Sequence, residues 1–257
     1  MRSARSAKAL AERAFALAAV VMLATPAAAQ WTNYPKAPNL SGPPPRSADG
    51  HPDLSGVWQA DGQTYFFDLA AGLPPGDVVM LPWARAEQQR REERLHGDDP
   101  LARCLPHGVP RINTNGLFPF KIVQTPGLVV ILYEQLNLFR QVFLDGRTLT
   151  TDLNPTWLGY STGRWDGDTL VVDTRGFNDQ TWLDTQRARP ASDALHVIER
   201  FRRPRYGELE IVATIDDPKT YAKAWTTTPQ HNRLQTGNEL MEFICSENEK
   251  DAPHMPR

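Results

Sequence analysis

The chain has 257 residues, with 28 lysines and arginines against 30 acidic residues and a formal charge of −2. That balance, without a basic cluster, argues against a nucleic-acid binder, because a basic face dominates such affinity. Two cysteines, Cys104 and Cys245, are present. In an oxidising compartment they are expected to pair, the other reading being two buried thiols.

Residues 1–29 read as a cleaved secretory signal. Arg2, Arg5, Lys8 and Arg13 precede an apolar run from Ala14 to Ala24, and Ala27-Ala28-Ala29 forms the cleavage pattern. The run is too short to span a bilayer, which needs about 20 residues. Gln30 follows the cleavage point, so no lipid anchor is indicated. The protein is expected in the periplasm or outside the cell. Without the signal the charge becomes −5, since that segment holds four basic residues and one acidic residue. No later run approaches membrane length.

Residues 30–53 form a Pro-rich arm, with Trp31 and Tyr34 as surface pins. Proline removes backbone donors and glycine adds chain entropy, so an extended segment is expected. Residues 54–257 are then one domain with a polar C-terminal tail. Leu54 to Gln59 predicts the first strand. Pro82 to His96 predicts one surface helix: proline suits the first turn, and Glu, Gln, Arg and Ala favour the helix.

From residue 120 the period becomes two. Strands are predicted over 121–125, 128–134, 137–144, 160–165, 169–175, 195–203, 208–215, 224–228 and 239–245, broken by turn residues. Asp166-Gly167 is a strong hairpin signal. Arg200, Arg202, Arg203 and Arg205 read as a solvated strand end and turn. Roughly ten short strands in sequential hairpins predict an all-β, antiparallel, up-and-down barrel, whose closure removes exposed edges.

Alternation then sorts the charged residues. Leu195, Val197, Glu199 and Phe201 share one face; Leu138, Arg140, Val142 and Leu144 share another. Glu134 aligns with Leu128, Val130 and Leu132. Glu199, Arg140 and Glu134 are therefore expected inside, where unpaired charge is costly. One reading is a structural Arg–Glu pair, with Arg140 stacked on Trp58. The other is a polar cluster in an apolar cavity, with Glu199 or Glu134 as general base and Arg140 as anion stabiliser. Tyr133 joins the ligand-binding candidates, as do Trp157, Tyr160, Trp182 and Asp184 at the barrel rim, since loops at a mouth commonly carry function. His254 would reach the cavity if the tail folds over it. The six histidines show no metal-ligand spacing, His196 falls on an outward face, and nucleophile-elbow, phosphate-loop and dinucleotide motifs are missing. No cofactor or metal is expected.

Gly56-Val57-Trp58 in the first strand resembles the signature of lipocalin-like (calycin) barrels, where the Trp plugs the closed end and an Arg packs on it. PDLSGVW, ARCLPHGVPR, PFKIVQTPGLVVILYE, GRWDGDTLVVDTRGFNDQTWLD, LHVIERFRR and FICSENEKDAPH resemble a large family of uncharacterised exported bacterial proteins, over about Ala48 to His254. The resemblance implies a lipocalin-like barrel and brings no established activity or catalytic residue. Members commonly carry a second Pro where His107 stands, so it assigns His107 no family-wide role. Three functions follow: a barrel binding a small, largely apolar or aromatic molecule inside; a cofactor-independent isomerase, lyase or hydratase acting on a hydrophobic substrate; or a packed barrel that serves as an interaction protein.

Overall fold

The computed structural model describes residues 38–62, 67–114, 116–150 and 152–247. The signal segment, the first part of the arm and His254 lie outside the described residues.

Ten strands form one sheet: β1 (Gly56–Ala60), β2 (Phe120–Thr125), β3 (Leu128–Tyr133), β4 (Leu138–Phe143), β5 (Tyr160–Asp166), β6 (Thr169–Arg175), β7 (His196–Arg205), β8 (Glu208–Asp216), β9 (Trp225–Thr226) and β10 (Gln230–Leu234). Each of β1 to β8 pairs with its successor. β10 pairs with both β1 and β8, which closes a nine-stranded barrel, and β9 is an extra strand on β8. A closed ring with an odd number of strands cannot alternate direction throughout. One neighbouring pair must run parallel, and it is β4–β5, joined through Val142↔Ser161 and Phe143↔Thr162. The expectation of a wholly antiparallel, up-and-down barrel is corrected there. Parallel neighbours cannot share a tight turn, and residues 147–150, 153 and 155 of the longer connection lie against the outer face of β5 and β6.

The β5–β6 hairpin turns at Gly167 with φ +59°, as its Asp-Gly predicts. β7 runs past Arg203 to Arg205, and its Pro204 falls in a register irregularity, where a missing amide costs little. The segment 239–245 is not a strand, and 224–228 shortens to β9. Phe243 instead lies outside the barrel, exchanging hydrogen bonds with Asn137, and Lys121 pairs with Glu239. Gln230–Leu234 closes the barrel in its place. Its sequence is polar and only Asn232 is fully buried, so no apolar alternation marks it.

The inward faces bring Trp58, Phe120, Ile131, Leu170, Phe201 and Ile211 into one buried cluster. One end is closed by Trp58. Its Nε1 donates to Leu54 O at 2.9 Å, and the Arg203 guanidinium stacks 4.8 Å from its ring. Arg203 is buried, not solvated, and it takes the position on Trp58 assigned to Arg140. Its Nη1 donates to Asp53 O at 2.5 Å and its Nε to Tyr206 O at 3.0 Å. Gly56 is required beside it: φ is +146°, and a Cβ would lie 2.5 Å from Leu234 Cδ1. The described part of the arm sits at this end, where Arg46 pairs with Asp168 and His51 stacks 4.6 Å from Trp165.

The long connections gather at the opposite end. Helix α1 (Pro82–Glu93) lies there with Ala84, Gln88 and Arg91 buried. It is shorter than predicted, because Leu95 and His96 adopt left-handed φ of +52° and +60°. A short buried helix, α2 (Arg111–Thr114), enters the barrel from this end. Cys104 and Cys245 form a disulfide that ties this region to the C-terminal segment. Among the described residues no helix is long and apolar enough to cross a membrane.

Candidate functional site

Glu199 and Arg140 meet inside the barrel. Arg140 Nη2 donates to Glu199 Oε2 at 2.6 Å and to Thr174 Oγ1 at 2.7 Å, and Arg140 Nε donates to Ser161 Oγ at 2.9 Å. Asn113 of α2 donates to Glu199 Oε1 at 2.5 Å, and the Tyr133 hydroxyl donates to Asn113 Oδ1 at 2.8 Å. Glu199 is 0% exposed and Arg140 3%. Burial opposes the Arg140 charge, but Glu199 and Tyr133 beside it prevail and hold its pKa above the ordinary value. Burial pushes the Tyr133 phenol above its usual range. Each Glu199 oxygen accepts one of these bonds, and the carboxylate is closed off from solvent. Parity could have found Ser161 and Thr174, which share inward faces with Gly163 and Val172. Nothing in the sequence marked Asn113.

Glu134 does not join them. The inward residues of β3 are Val129, Ile131 and Tyr133, the opposite set from that expected. Leu128 to Tyr133 is apolar on both faces, so alternation could not fix its parity. Glu134 lies past the strand end, where Oε2 accepts the Met241 amide at 2.8 Å.

The rim candidates separate. Trp182 is buried, with the Arg91 guanidinium 4.5 Å from its ring and Arg111 at 5.9 Å. Arg111 Nη2 in turn pairs with Asp99 at 2.6 Å. Asp184 is buried, paired with Arg189, and accepts the Leu69 and Arg187 amides at 3.2 and 3.0 Å. Burial raises its pKa against the pull of Arg189. Both serve the packing of the loops. Trp157 and Tyr160 are half-buried. His107 is fully buried in the chain leading into α2. Burial drives its pKa well below the ordinary value, the Arg111 charge adds to this, and the neighbouring Gln135 side chain opposes it.

A cleft of about 640 Å³ lies outside the barrel, between residues 147–150, 153 and 155 and the outer face of β5 and β6. Leu149, Leu153 and Pro155 supply its apolar wall in front of the fully buried Phe177, and Thr148, Thr150 and Thr162 supply hydroxyls. Arg147, Arg164, Arg175, Asp173 and Asp193 bring charge to it. Asp173 accepts from His196 Nε2 at 2.8 Å, Asp193 pairs with Lys219 at 2.7 Å, and Arg147 pairs with Asp145. No local pattern marks this cleft, since one of its walls belongs to a segment without periodicity. Among the described residues no cluster of three or more His, Cys, Asp or Glu could hold a metal ion.

Fold and site together define a closed β-barrel with a buried ion pair inside and a lateral cleft outside. No family model matches the chain, and neither a curated protein nor a solved structure matches it.

Proposed function

We propose that the protein is an exported, lipocalin-like barrel that binds a small, largely apolar or aromatic molecule, and that it does so in the lateral cleft. Export is supported by the basic and apolar segments before Gln30 and by the disulfide. The lipocalin-like reading is supported by Gly56-x-Trp58 and the stacked Arg203.

The cleft carries the binding assignment. Its volume falls within the roughly 300–1,000 Å³ of small-molecule sites, and it has the usual makeup of apolar walls with a few polar groups. The barrel interior is a weaker candidate, because its inward side chains pack against one another as one buried cluster. The acid–base reading asks a substrate to reach Glu199, whereas that carboxylate is 0% exposed and bonded to Arg140 and Asn113.

Titration with the neutral dye phenylnaphthylamine tests this. Thr162 lies on the cleft floor, and Thr162→Trp fills it on a strand that accepts aromatics. The dye fluoresces with the wild-type protein and loses most of its affinity for a natively folded Thr162→Trp. Equal binding to both proteins contradicts the cleft as the site.

A further inference from the structure

We infer that the molecule held in the cleft carries an anionic group, and that Arg164 receives it. The inference rests on the cleft being the binding site and names the chemistry of its ligand.

The charges of the cleft are unevenly matched. Both carboxylates are already engaged, Asp173 by His196 and Arg175 and Asp193 by Lys219. Arg147 is tied to Asp145 and lies 3.8 Å over the Phe143 ring. The Arg164 side chain has neither ion pair nor hydrogen bond among the described residues; Asp166 lies near enough for its carboxylate to feel the Arg164 charge, but the two do not bond. Asp166 is taken by Arg200 at 2.8 Å. The guanidinium of Arg164 therefore borders an apolar recess with its donors open. A planar fork of this kind matches a carboxylate, sulfonate or phosphate, and the engaged acids cannot supply one. Leu149, Leu153 and Pro155 would cover the apolar body of the same molecule. An amphiphilic organic anion satisfies both halves of the site; a neutral hydrocarbon satisfies one.

Two dyes sharing an aromatic skeleton separate the claims: phenylnaphthylamine, and anilinonaphthalene sulfonate, which adds the anion. The sulfonate dye is expected to bind the wild-type protein about tenfold more tightly, as a charge-assisted contact allows. Arg164→Gln removes most of that preference, lowering the affinity of the sulfonate dye far more than that of the neutral dye. Raising salt from about 0.02 to about 0.5 M weakens only the sulfonate dye, since exposed charges are screened. Equal affinity for the two dyes, or a preference that survives Arg164→Gln or is indifferent to salt, overturns the inference while leaving the cleft as a site. Loss of the cleft assignment itself appears separately, as neutral-dye binding that Thr162→Trp does not reduce.

Discussion

The Arg140 guanidinium lies 2.6 Å from the Glu199 carboxylate, with both groups enclosed by the barrel. A charge cannot be left there alone, so removing one partner is far costlier than removing both. Arg140→Met is expected to destabilise by about 3–5 kcal/mol, with the buried Glu199 charge left without its cation and Asn113 still donating to it. The double variant Arg140→Met, Glu199→Leu should recover most of that loss. Denaturant unfolding of the two singles and the double measures the coupling, and additive losses would show that the pair does not act as a unit.

Arg203 joins the closed end of the barrel to the first strand. Arg203→Ala removes the stacking on Trp58 and the bonds to the Asp53, Ser55 and Tyr206 carbonyls. A loss of about 2–4 kcal/mol is expected, as for other buried hydrogen-bonded charges. Arg203→Lys should recover only part, because an ammonium neither stacks in the plane nor forks. Thermal unfolding and the tryptophan emission of the variants read this out.

His107 sets an acid limit on stability. Burial, reinforced by Arg111, depresses its pKa in the folded protein, so the unfolded chain takes up the proton first. Its contribution is whole above the unfolded pKa of about 6.5 and is lost as pH falls below it, by up to about 1.4 kcal/mol per pH unit. Denaturant midpoints measured from neutral pH down to about pH 5 should fall more steeply for the wild type than for His107→Gln. Parallel curves would exclude this residue as the cause.

How much of this was legible follows from where the sequence carries a periodic signal. The inward placement of Glu199 and Arg140 could be read because their strands alternate cleanly, and Asp166-Gly167 announced its hairpin. Glu134 was misread because β3 is apolar on both faces. The closing strand β10 escaped notice because it is polar, while 239–245 imitated a strand although it lies outside the barrel. The stacking of Arg203 and the role of Asn113 depend on contacts across long sequence separations, 145 residues from Trp58 and 86 residues to Glu199. The cleft arises from the parallel β4–β5 pair, a consequence of the odd strand number that no local pattern states.

The Cys104–Cys245 bridge closes a loop spanning 141 residues. On the chain-entropy model a loop of that length stabilises by about 5 kcal/mol, and measured values commonly fall short of the model. The paired change Cys104→Ser, Cys245→Ser should lower the unfolding temperature and speed proteolysis near Met241, which is 70% exposed and otherwise held by Glu134. An unchanged melting temperature would mean that the bridge adds little to the folded state.

The location of the ligand decides most. Methyl-resolved NMR during titration with anilinonaphthalene sulfonate distinguishes the two compartments directly, because Leu149 and Leu153 border the cleft while Ile122, Ile131 and Ile211 line the core. Saturable shifts of the two leucines are expected, with the isoleucines unmoved. Shifts concentrated on the isoleucines, with Leu149 and Leu153 silent, would move the ligand into the barrel and contradict the cleft as its site.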